Sequence, residues 1–126
     1  GRVPYDPFLD VLRISAAHVY LTYPFVLSWS LIESMAAGCC IIASDTAPVV
    51  EAVRDGVEGR LTGFFDGAAL AEKICIALEN RAAQTEMRQQ ARRSAVERYD
   101  LRTVCLPAHV RLIEQLARGE TPLSPA

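Results

Sequence analysis

The sequence predicts an α/β fold, built in three layers with a short parallel sheet and helices on both sides, and three observations predict it. Residues 17–23 mix aromatic and β-branched side chains and stop at Pro24, which suits a strand and bars a helix from running through. Cys39-Cys40-Ile41-Ile42-Ala43 is an unbroken apolar run, the pattern of a strand covered on both faces. Between them, residues 28–37 carry Leu31, Ile32, Met35 and Ala36 along one helical side, and Gly38 supplies a left-handed stop. Strand, crossover helix and parallel strand make a right-handed βαβ unit.

In such a sheet, ligands bind beyond the carboxyl ends of the strands. Two loops lie there, residues 23–30 and Ser44-Asp45-Thr46-Ala47-Pro48. The first feeds a helix N-terminus, where unpaired N–H groups and the positive dipole end favour an anion. Glu33 comes next, in what the sequence predicts to be the first turn, and two readings of it stand. Ser30-x-x-Glu33 has capping-box spacing, in which Ser30 caps the helix and Glu33 reaches back to the Ser30 amide. Alternatively, the carboxylate faces a ligand pocket and accepts hydrogen bonds from a diol such as a ribose, while amides of Ser28 to Leu31 hold a diphosphate.

The other elements can be assigned from the N-terminus onward. Asp6-Pro7 opens a helix with Asp at the cap and Pro at the first position, and Phe8, Leu9, Leu12 and Ile14 form its apolar side. Residues 48–54 read as a short helix with Glu51 in its first turn, placed there by the dipole or reaching the same pocket. Asp55-Gly56 and Glu58-Gly59 punctuate a turn before a third short strand at Arg60-Leu61-Thr62. Asp66 caps a helix over residues 68–80 with Leu70, Ile74, Ala77 and Leu78 inward. A second helix, residues 83–99, turns Met87, Ala91, Ala95 and Val96 inward and Arg88, Arg92, Arg93 and Arg98 to solvent, a solvated face rather than a phosphate site. The last helix, residues 102–118, carries Val104, Val110, Ile113 and Leu116, and residues 119–126 form a polar tail.

Bulk composition narrows the function. With 126 residues, 51% hydrophobic and 22% charged, the chain is globular and forms one domain or part of one. A net charge of -2 gives no electrostatic case for nucleic acid. Apolar runs are too short for a transmembrane segment. Cysteines 39, 40, 75 and 105 contain no Cys-x-x-Cys, and His18 and His109 have no ligand pattern around them. The expectation is reduced, mostly buried thiols, no metal, no cofactor, and a cytoplasmic location, either free or at the cytoplasmic face of the membrane.

The order of motifs resembles the C-terminal, donor-binding lobe of a GT-B fold glycosyltransferase of the large retaining family 4 type, a Rossmann-like half-domain. Glu33-Ser34-Met35-Ala36-Ala37-Gly38 matches the second Glu of the family's Glu-x7-Glu motif and the Ala-Met-Ala-x-Gly run into which that motif leads. Ile41-Ile42-Ala43-Ser44-Asp45 matches its buried strand, and Glu51 with Asp55-Gly56-Val57-Glu58-Gly59 matches the next element. The resemblance implies that Glu33 binds the ribose of a nucleotide sugar, with Leu27, Ser28, Trp29 and Ser30 around the diphosphate and sugar. Phe25 stands where the family has its first Glu, and a phenyl ring cannot accept a sugar hydroxyl.

The family's basic pair, which offsets the charge of the departing diphosphate, has no match here, nor has the acceptor lobe. The chain thus reads as a partial donor-binding lobe, residues 1–118, of a hexosyltransferase-like enzyme, without turnover of its own. A bared sheet edge and last helix imply a homo-oligomer, most simply a two-fold dimer. Two other readings are a non-catalytic interaction or receiver-like module, for which Asp45 is a lone acid without companions, and a sugar-nucleotide epimerase of the same architecture.

Overall fold

The computed structural model describes residues 2–23 and 26–121. Its elements run α1 (Tyr5–Ile14), β1 (His18–Tyr20), α2 (Trp29–Ala36), β2 (Ile41–Ser44), α3 (Ala47–Val50), β3 (Gly59–Thr62), α4 (Gly67–Glu79), α5 (Thr85–Tyr99) and α6 (Leu106–Ala117). A 3-10 turn, Ala82–Gln84, leads into α5, and a π turn, Leu101–Cys105, leads into α6.

The three strands form one parallel sheet in the order β1-β2-β3, with Tyr20 opposite Ala43 and Ser44 opposite Thr62. The central strand β2 is buried at all four positions, as its unbroken apolar sequence requires. Alternate residues of the run serve opposite faces. Ile41 and Ala43 join Leu12, Leu31, Met35, Val49, Ala91 and Ala95 in the larger core, under α1, α2 and α5. Cys40 and Ile42 meet Ala77, Leu70 and Ile74 of α4 on the other face. The result is the expected three-layer α/β architecture.

Two glycines set the geometry of the crossover. At the end of α2, Gly38 has φ 75°; its amide donates to Met35 O at 2.9 Å, and the Cys39 amide donates to Ser34 O at 3.0 Å. That pair of bonds is the Schellman closure, and it drops the chain directly into β2. A Cβ at Gly59 would stand 3.0 Å from Ile41 Cβ and Ile41 O, so only glycine lets β3 begin so close to β2.

Several local expectations are corrected. The cap of α1 is Pro4, and Asp6 lies inside the first turn. Ile14, Leu78 and Val96 are exposed, because each sits just off the stripe that its helix turns to the core. Cys75 is exposed, whereas Cys39 and Cys40 are buried and burial pushes both thiols above their usual range.

The arginines of α5 are not simply solvated. Arg88 Nε donates to Gly38 O at 2.7 Å, Arg92 donates to Ala36 O, and Arg98 donates to Glu51 O at 2.6 Å and Ala52 O at 3.2 Å. They satisfy carbonyls left open at the ends of α2 and α3, where a cation also meets the negative helix ends.

Candidate functional site at the strand tips

The loop after β1 is built by two side chains that sequence spacing did not single out together. Tyr20, buried in the core, places its hydroxyl to accept the Ser28 amide at 2.9 Å. Ser28 is thereby held as the N-cap of α2, and its Oγ accepts the Ser30 amide at 3.3 Å and the Ser30 hydroxyl at 3.1 Å. The Leu31 amide donates to Ser28 O at 3.1 Å.

The capping box on Ser30 and Glu33 therefore does not form. With Ser28 as cap, Leu31 occupies N3, and Glu33 lies beyond the first turn, which contains no acid. Of the four amides expected to hold a diphosphate, those of Ser28, Ser30 and Leu31 have protein acceptors. Among the described residues, the amides of Leu27 and Trp29 have none. The Leu27 side chain packs on the core, while the Trp29 indole is 85% exposed. Phe25 lies outside the described residues.

Glu33 is partly buried and lines a groove of about 240 Å³ with Tyr5, Leu9, Arg13, Ala36, Ala37 and Arg92. It holds the Tyr5 phenol above its usual range, first through hydrogen bonding and then through its charge. Among the described residues, neither arginine of the groove pairs with it: Arg13 pairs with Asp10 at 3.0 Å, and Arg92 donates to Ala36 O.

Glu51 is exposed and lines neither this groove nor the larger cavity beside Asp45. Helix α3 ends at Val50, so Glu51 is its C-terminal cap residue rather than a first-turn acid, and its carbonyl is held by Arg98. Glu58, which matches part of a family turn, is a structural acid. It is 1% exposed, accepts the Arg54 amide at 2.9 Å and the Arg54 guanidinium, and accepts the Ser94 hydroxyl at 2.9 Å. Burial alone would push its carboxyl up, but the bonds from Arg54 and Ser94 outweigh this and hold it below the usual range.

The cavity beside Asp45, of about 580 Å³, lies among the loops that follow β1, β2 and β3 and is lined by Tyr23, Asp45, Thr46, Ala47, Pro48, Phe64 and Phe65. Sequence reasoning placed Asp45 near the strand tips and missed the aromatic wall. The available signal was Phe64-Phe65 in a turn directly after a strand, where two large apolar side chains have little core to enter.

Three parallel strands, helices on both faces and a capped loop-to-helix turn above the strand tips define the class: a Rossmann-like α/β half-domain. Within that class the chain belongs to the group 1 glycosyltransferases. The model of the family "Glycosyl transferases group 1" matches residues 1–94.

A phosphatidyl-myo-inositol mannosyltransferase of Mycobacterium leprae (strain TN) is 40% identical over 70 residues, which is 56% of this chain and 18% of that protein. Sucrose-phosphate synthase from Thermosynechococcus elongatus superposes with TM-score 0.81 at 25% identity, over 95% of this chain and 30% of that one. Anabaena HepE, whose structure holds UDP, superposes with TM-score 0.71 at 20% identity, over 86% of this chain and 29% of that one. The chain thus spans less than a third of each of these proteins. Among the described residues, no helix is long and apolar enough to cross a membrane, and no cluster of metal-ligating side chains occurs.

Proposed function

We propose that the chain is the donor-binding part of a larger, cytoplasmic, retaining glycosyltransferase that moves a sugar from a nucleotide-diphosphate donor to an acceptor. Membership of the group 1 family supports the reaction class. One observation carries the assignment of the site. Released from any capping role, Glu33 stands in an open groove between α1 and the C-terminal half of α2, and among the described residues neither groove arginine pairs with it.

In this reading, Glu33 accepts the two ribose hydroxyls, and the diphosphate is met by the Leu27 and Trp29 amides with the Ser28 and Ser30 hydroxyls. Phe25 leaves the donor sugar without an acidic acceptor at that position, and Glu51 acts by closing α3 rather than by touching the donor.

Turnover needs positive groups to offset charge developing on the departing diphosphate. In the Glu33 groove, Arg13 and Arg92 are already engaged, which supports a chain that binds donor without catalysing transfer. The open edge of β1 and the bare face of α6 support self-association as a dimer, which light scattering would show as twice the mass of the chain.

Calorimetric titration of UDP, GDP and ADP against the wild-type chain and Glu33→Gln tests the site. The expectation is binding of one diphosphate, weakened about tenfold by the substitution, as loss of a charged hydrogen-bond acceptor predicts. Equal affinity in the two proteins would remove Glu33 from the site.

A further inference from the structure

The cavity beside Asp45 at the strand tips is separate from the Glu33 groove and shares no lining residue with it. Its wall is an aromatic corner brought together from two loops. Tyr23 and Phe64 have ring centroids 5.2 Å apart, Tyr23 and Phe65 5.4 Å, and Phe64 and Phe65 4.9 Å, the last two pairs edge to face. Such pairs are mutually attractive, yet the corner is left open: Phe65 is 81% exposed and Tyr23 57%. Beside it stand the Asp45 carboxylate, which makes no ion pair among the described residues, and the partly buried Thr46.

The chemistry of the lining selects the ligand. No lysine or arginine lines the cavity and one carboxylate does, so a phosphate or other anion is disfavoured. The rings touch one another, so they offer one continuous wall rather than the separated walls of a cage around a cation. A neutral polyol fits both halves of the lining. The apolar C–H face of a pyranose covers the rings while its hydroxyls donate to Asp45 and exchange hydrogen bonds with Thr46. The volume is within the range of roughly 300–1,000 Å³ usual for small-ligand sites.

We propose that this cavity is a carbohydrate subsite that takes a sugar ring of the acceptor, with Phe65 and Tyr23 as the platform and Asp45 as hydroxyl acceptor. The assignment of the ring to an acceptor rests on the glycosyltransferase function proposed for the chain; the carbohydrate chemistry of the cavity does not need Glu33. The sheet supports it, since the Asp45 amide donates to Thr62 O at 3.0 Å and so ties the polar side of the cavity to the tip of β3.

Amide and aromatic NMR of the chain, titrated with methyl α-mannopyranoside and with maltose, tests the proposal. Shifts should concentrate at Tyr23, Asp45, Thr46, Phe64 and Phe65, with about tenfold weaker binding in Phe65→Ala and a smaller loss in Asp45→Asn. Both side chains are exposed, so neither variant threatens the fold, and unchanged spectra elsewhere would confirm this.

Saturating UDP should leave the sugar shifts in place. Sugar binding retained in Glu33→Gln, with nucleotide binding absent from both proteins, would sink the donor reading and leave the carbohydrate cavity standing. The proposal is overturned by no shifts at these residues, by equal affinity in Phe65→Ala, by displacement of sugar by UDP, or by tighter binding of tetramethylammonium than of either sugar.

Discussion

Helices α5 and α6 are neighbours in sequence and opposites in attachment. The first, TEMRQQARRSAVERY, is strongly polar, yet it buries Met87, Ala91 and Ala95 and packs against α2. The second, LPAHVRLIEQLA, has a continuous apolar stripe, yet no residue of it is buried, and Ile113 and Leu116 stand 66% and 56% exposed.

Small side chains explain the first case. Alanines let α5 approach α2 closely, and its arginines then reach carbonyls at the ends of α2 and α3. Amphipathicity thus reports that a helix has an apolar face. It does not report what covers that face, nor how firmly a polar helix is held.

Breaking the α5 side should cost most at Glu58, which ties Ser94 of α5 to the turn at Arg54. Glu58→Ala strands the Arg54 amide and the Ser94 hydroxyl and opens a buried space, with an expected loss of about 3 kcal/mol in urea unfolding. Ala91→Leu, at the fully buried seam with α2, should cost about 2 kcal/mol by overpacking. Removing one clamp by Arg98→Ala should cost about 1 kcal/mol, because water reaches the freed carbonyls. On the α6 side, Ile113→Ser should change unfolding by less than about 0.5 kcal/mol. A loss at Ile113 as large as that at Ala91 would erase the contrast.

Acid sharpens the same comparison. Glu58 is held below the usual carboxyl range in the folded chain, so its contribution is complete above the ordinary glutamate value and is lost as pH falls through the lower folded one. Urea midpoints measured down through the acid range should therefore fall more steeply for wild type than for Glu58→Gln. Parallel curves would show that the Arg54 and Ser94 bonds do not favour the charged form.

Much of this was readable in advance, and the exceptions have a common cause. Helix α2, β2 and the stop at Gly38 are written in periodicity, an unbroken apolar run and a left-handed glycine, all local signals. Which serine caps α2 was not legible, since Ser28 and Ser30 both suit a cap. The choice is made by Tyr20, eight residues away, whose phenol accepts the Ser28 amide. The aromatic wall joins Tyr23 to a pair more than forty positions later, a meeting that only strand order creates. The arginine clamps were hidden in the same way, because main-chain carbonyls leave no trace in a residue string.

The side chain of Ser44 at the end of β2 has a consequence of its own. Its hydroxyl donates to Thr22 O at 3.0 Å and accepts the Thr22 amide at 3.1 Å, closing β1 to β2 just past the last strand residues. One oxygen atom does there what another rung of ladder would do. Tyr23 and Asp45, each the next residue along, are therefore kept at a constant spacing across the mouth of the cavity. Cutting that stitch with Ser44→Ala would unpair the Thr22 amide and carbonyl and leave the two rims out of step, a fault that a ligand would register as well as a thermometer.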